Sequence, residues 1–106
     1  MELAKEIYIL TEKFPKSEIF GICSQMRRAS VSIPSNIAEG FVRKHRKEFS
    51  QFISIAFGSG AELETQILLA KSLNFTEIKY FERCDLLLSE IMKMLNKLNS
   101  NLKTSR

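Results

Sequence analysis

The sequence predicts an all-α fold: an antiparallel up-down-up-down four-helix bundle in a single domain, residues 1–106. Three observations lead there. The chain holds only four glycines and two prolines in 106 residues, too few for a set of hairpins or long loops. Apolar residues recur at spacings of three and four through four successive stretches, the period of a helix with one buried face. The connections between those stretches are short, which makes consecutive helices antiparallel neighbours. At this length one core can form, but not two.

The first helix is expected from about Glu2 to Lys13, with Leu3, Ile7, Leu10 and Phe14 on its apolar face. Phe14-Pro15 ends it, because a residue before proline is pushed out of the helical region. Ser17 is a suitable cap for a second helix, and Glu18 sits well at the positive end of its dipole. That helix is expected from about residue 18 to Val42, with Ile22, Met26, Ala29, Ile33 and Ile37 as its seam. Pro34 removes one donor and crowds the carbonyl of Ser30, with hydroxyls at Ser30, Ser32 and Ser35 near enough to compensate. The seam keeps its phase across Pro34, which favours a kinked but continuous helix over a fresh start at the proline.

The third helix spans about Arg46 to Ser72, along Phe49, Phe52, Ala56, Leu63, Ile67 and Ala70. In its middle lies Gly58-Ser59-Gly60-Ala61. Two glycines in a helix interior cost roughly 1 kcal/mol each relative to alanine, so they need a reason. Close approach of another helix is the first reason, and a break in the helix the second. A phosphate cradle fits poorly, since no strand precedes the glycines and no Gly-Lys-Ser/Thr follows them. The fourth helix is expected from Glu77 to about Ser100, capped by Thr76. Its seam is Phe81, Cys84, Leu88, Ile91, Leu95, Leu98 and Leu102, a heptad pattern. Tyr80, Leu87 and Met94 repeat every seven residues beside it, more apolar width than one bundle seam requires. The tail from Asn101 to Arg106 is polar and expected to fray.

A polar stripe runs along the second helix about 110° round from its seam: Gln25, Arg28, Ser32, Asn36 and Glu39. Amide, guanidinium, hydroxyl and carboxylate groups at that spacing suit a hydrogen-bonded edge between helices or a binding surface for a polar ligand. Glu39 and Glu62 are expected to balance Arg28 in or beside the bundle.

Several words of this chain resemble a known family. They are Leu10-Thr11-Glu12-Lys13-Phe14-Pro15, Glu18-Ile19-Phe20-Gly21-Ile22, Gln25 through Gly40, Ala56, and Gly58-Ser59 with Glu62-Leu63-Glu64-Thr65-Gln66. Together they are similar to the four-helix-bundle proteins encoded within intervening sequences of bacterial 23S ribosomal RNA genes. The match covers roughly residues 3 to 73, and the fourth helix agrees in pattern alone. Val42 stands where the family often has glycine, and Phe57 where it often has arginine. The resemblance implies a left-handed up-down bundle assembling as a homo-oligomeric ring, commonly a pentamer. It also implies kinship with the accessory protein of diversity-generating retroelements, a basic ring that binds nucleic acid and a reverse transcriptase.

Charge narrows the function classes. The formal net charge is +4, and Arg43-Lys44-His45-Arg46-Lys47 alone supplies four positive charges. Such a run suits an anionic partner, or merely keeps a loop in water. Arg43, Lys44, His45, Arg46, Lys47 and Arg27 are therefore the candidate nucleic-acid-binding residues, with rRNA or another structured nucleic acid as the partner class. Gln25, Arg28, Ser32, Asn36, Glu39 and Glu62 form the candidate structural polar stripe. Catalytic machinery is missing from the pattern. The one histidine lies among four cations, Cys23 and Cys84 have no histidine partner, and no Glu-x-x-His motif of a bundle metal site occurs. No cofactor and no enzymatic activity are expected. The acidic start and the lack of an apolar run near 18 residues argue for a cytoplasmic protein with free thiols. The rival reading is a protein-interaction scaffold whose charge only maintains solubility.

Overall fold

The computed structural model describes residues 1–104, with the side chains of residues 1–102. Four α-helices dominate: α1 (Glu2–Thr11), α2 (Ser24–Phe41), α3 (Arg46–Ser72) and α4 (Glu82–Thr104). No strand occurs among the described residues. The body is a rod of 47 × 21 × 19 Å.

Pairs of residues far apart in sequence define the packing. Cys23 Sγ reaches the Thr11 carbonyl while Ser32 Oγ meets Ser59 Oγ at 2.8 Å. Lys71 Nζ meets Asp85 at 2.6 Å near one end of the rod, and Ser54 Oγ meets Asn99 Oδ1 at 3.1 Å towards the other. Partners thus run in opposite sense along α3/α4, and the contacts of α1/α2 and α2/α3 are compatible with the same antiparallel arrangement. The core is one cluster built largely from the predicted seams, with Ile7, Met26, Leu63, Phe81 and Leu95 fully enclosed; on α3, Ile53 is enclosed in place of the expected Phe52, which is only partly buried. Burying a side chain of that size contributes about 1.5–3 kcal/mol, which is why the apolar phase dictates the helix faces.

The first, second and fourth helices depart from their expected bounds. The first helix stops at Thr11, two residues early, where Lys13 N–H turns to the Leu10 carbonyl at 3.0 Å and Phe14 N–H to the Thr11 carbonyl at 3.1 Å, tightening the chain ahead of Pro15. The second does not start at residue 18. A 3₁₀ turn (Lys16–Glu18) and a wide π-type turn (Ile19–Cys23) come first, and Gly21 lies outside the helical region at φ −101°, ψ −112°. Past that point α2 is continuous through Pro34, as the seam required. The Ser30 hydroxyl bonds to Arg27 O at 2.8 Å, and the Asn36 amide donates to Ser32 O at 2.8 Å.

Helix α3 begins and ends where the sequence placed it. Its C-terminus is closed by Asn74 at φ 56°. Asn74 N–H donates to the Lys71 carbonyl and Phe75 N–H to the Ala70 carbonyl, both at 3.1 Å, a Schellman closure. That turn lays Phe75 against Phe14, ring centroids 5.4 Å apart. The fourth helix was expected from Glu77 with Thr76 as cap. Instead a 3₁₀ turn (Ile78–Phe81) leads into α4, and no side-chain cap bond forms at that turn. At the other end α4 runs on to Thr104, since Leu102 is buried in the core. The helix thus takes in residues 101–104 of the tail that was expected to fray from Asn101 to Arg106; residues 105–106 lie outside the described residues.

The two central glycines behave differently. A Cβ at Gly60 would collide with the Met92 Sδ of α4, so close helix approach accounts for that position. Gly58 has nothing within 4 Å of the place where its Cβ would be.

Candidate nucleic-acid interface

The basic run forms the turn between α2 and α3. Val42 to His45 make the connection, and Arg46 and Lys47 open the first turn of α3. Every residue from Phe41 to Lys47 is exposed. His45 stands extended at the N-cap position (φ −104°, ψ 135°) and makes no side-chain cap bond. The N-terminus of a helix carries partial positive charge from its unpaired N–H groups. Two cations there oppose the dipole, and the end of the rod becomes more positive than the count of bases alone implies.

The bases are not equivalent. Arg43 lies back on the protein: it pairs with Glu39 one turn before it, and its guanidinium sits 5.0 Å from the centre of the Phe52 ring. Arg46 Nη2 donates to the Asn101 carbonyl at 3.3 Å, tying the start of α3 to the end of α4. Arg46 and Lys47 also border a groove of about 830 Å³ that continues along Ser50, Gln51 and Ser54 to Leu102. Beyond the bases the lining is mixed: Ile55 and Leu102 are apolar, while Ser50, Gln51 and Ser54 can bond to sugar and phosphate oxygens.

Arg27 does not join this group. It lies sixteen residues before Arg43 along α2, roughly 24 Å at the helical rise. There it is half-buried, donating from Nε to Thr11 Oγ1 at 2.9 Å and covering the Tyr8 ring at 4.9 Å. It fastens α1 to α2.

The polar stripe divides. Ser32 and Asn36 form the hydrogen-bonded edge between α2 and α3, through Ser59 Oγ and the Asn36–Ser32 contacts. Glu62 accepts from Gln66 Nε2 at 3.3 Å. The expected balance of Arg28 by Glu39 or Glu62 is not seen. Glu39 is taken by Arg43, and Arg28 is exposed with no ion pair among the described residues. Arg28 instead edges a shallow groove of about 620 Å³ with Tyr8, Ile19, Phe20 and Val31. Gln25 is exposed nearby.

Phe41 and Phe49 flank the basic run, which has no aromatic residue interleaved within it, and the structure shows that Phe41 nevertheless stands open beside it. Its ring is 68% exposed at the last position of α2, directly before the basic run. A signal was present: Gly40, seven residues after Ile33, keeps the seam's phase, so Phe41 is turned about 100° away from it.

Reactive groups are few. Both cysteines are free and buried, and burial pushes the Cys84 thiol up to about 12 and raises that of Cys23. At neutral pH neither is a thiolate nucleophile. Among the described residues no three His, Cys, Asp or Glu side chains converge as a metal-holding group, and no helix is long and apolar enough to cross a membrane.

An all-α bundle with a cationic helix-turn end thus defines the class of protein. Residues 1–97 match the family model of the 23S rRNA-intervening sequence protein, and the chain belongs to that family. A comparison with curated proteins gives no match.

Proposed function

We propose that this protein is a cytoplasmic, non-enzymatic bundle that binds structured RNA or DNA through the basic α2–α3 turn, as a homo-oligomeric ring of five chains acting beside another protein such as a reverse transcriptase. The observation that carries the reading is the placement of Arg43–Lys47. Five consecutive residues with cationic or titratable side chains lie exposed at one end of the rod, on the positive end of α3. Family membership supports it through the kinship with basic, nucleic-acid-binding rings. Affinity would come from phosphate contacts, which position a nucleic acid more than they read its sequence. A ring of five chains multiplies the net charge of +4 fivefold, so that several phosphates are neutralised at once.

A protein-interaction scaffold is the second reading, favoured by Phe20, 96% exposed beside the half-exposed Ile19 and Val31. Salt separates the two. With about six phosphate contacts, binding of a folded RNA falls ~1,000-fold between roughly 50 and 200 mM salt, whereas apolar association does not weaken. The direct test replaces Arg43, Lys44, Arg46 and Lys47 together with glutamine and measures RNA binding by fluorescence anisotropy. Binding is expected to vanish while the circular dichroism and the assembly mass stay unchanged. An equally tight complex from the quadruple variant would make the basic run a solubility device.

A further inference from the structure

We infer that Phe41 is a stacking platform for an unpaired base, so that the basic turn takes single-stranded nucleotides, the loops and ends of a folded nucleic acid, in preference to a duplex. The inference rests on the nucleic-acid reading above and names which part of such a partner the site holds.

The platform is built, not accidental exposure of a loose side chain. Gly40 lies in the core seam, and a Cβ there would stand 2.9 Å from Phe49 Cδ1 and 3.2 Å from Phe52 Cβ. Glycine therefore lets the aromatic start of α3 close directly on the backbone of α2. Phe49 is seated by that contact and packs on the core cluster. Its ring in turn braces Phe41, with centroids 5.3 Å apart and planes inclined by 31°. One side of Phe41 is thus held by a half-buried ring, and the remainder of its surface faces water.

Chemistry selects the occupant. An exposed aromatic ring has a large apolar surface that stays in water at a cost, and every nucleobase offers a flat π-face to cover it. The residues that follow, Arg43 to Lys47, supply the cations that proteins binding single strands set beside such rings. A duplex cannot use the ring, because its bases are already stacked on one another. Unpaired nucleotides can, since their bases splay out while the backbone remains on the cations. Val42, itself 72% exposed, widens the apolar surface next to the ring.

The chain contains no tryptophan, so Phe41→Trp places a single reporter at the platform. The full-length variant is titrated with a short oligouridylate and with a blunt RNA duplex of equal length. Quenching of the emission is expected with the oligouridylate and not with the duplex. In parallel, Phe41→Leu should weaken oligouridylate binding roughly tenfold, the usual loss of one stacked base, and leave duplex binding unchanged. Unquenched emission at saturation, or equal losses on both nucleic acids, would overturn the inference. So would a changed assembly mass for Phe41→Leu, which would mean that a second copy of the chain covers the ring. If the quadruple glutamine variant loses binding and Phe41→Leu does not, the basic surface stands and only the platform falls. If the parent binds neither oligonucleotide, both fall.

Discussion

Two adjacent arginines show how much one position on a helix decides. Arg27 and Arg28 have the same chemistry and both border the groove beside Phe20, yet Arg27 is half-buried on Thr11 and Tyr8 while Arg28 is exposed. A hydrogen bond from a charged donor contributes about 1.5–3 kcal/mol, and a cation over a ring adds about 0.5–1. We expect Arg27→Ala to destabilise the protein by about 2 kcal/mol in urea unfolding, and Arg28→Ala to stay within about 0.5. The reverse order would place the α1–α2 fastening elsewhere. The sequence could not separate these two. Both flank the seam at Met26 and Ala29, and only the position of α1 decides which flank is covered. Phe41 could be placed beside the basic run from the sequence, but its bracing by Phe49 could not, since that depends on the close approach of α3 at Gly40.

Periodicity carries through at the scale of whole elements wherever packing is regular. The bounds of α3, the seam of α4 and the continuity of α2 through Pro34 were all legible, since a buried stripe kept in phase has one simple solution. The turns were less so. The π-type turn around Gly21 and the Asn74 closure depend on backbone hydrogen bonds that leave little mark on hydrophobic spacing. Gly58 and Gly60 give a test within one element. Alanine gains about 1 kcal/mol of helix propensity at either position. At Gly58 the new methyl meets nothing, so Gly58→Ala should raise the unfolding free energy by about that amount. At Gly60 it must displace Met92, and the gain should be cancelled or reversed. Thermal unfolding of the two variants side by side checks the order, and a larger gain at Gly60 would contradict the α3–α4 packing.

For the molecule as a whole, exposed apolar side chains bear on assembly. The second row on α4, read from the sequence as surplus width, is only partly absorbed: Leu87 packs against the core, while Tyr80 and Met94 remain exposed. Leu68, Leu69 and Leu86 add to it on α3 and α4. Exposed apolar side chains of this kind suit contact with another chain, and assembly through them is our proposal. We expect light scattering at micromolar concentration to give a mass several times 12.2 kDa. A monomer under those conditions would remove the ring, and with it the pooling of charge on which tight phosphate binding depends.

The α2–α3 connection is only four residues long, Val42 to His45, and it joins the two helices that share the Ser32–Ser59 and Gly40–Phe49 contacts. A ligand gripping that turn spans the closing point of a helical hairpin. The cations are consecutive and stay together on unfolding, but the positive end of α3 beneath them and the braced Phe41 ring are lost, so such a ligand would favour the folded form. By mass action, a ligand at a hundred times its dissociation constant adds about 2.7 kcal/mol to the stability of the species it binds. Occupancy of the turn is thereby coupled to the integrity of the rod, and each raises the other.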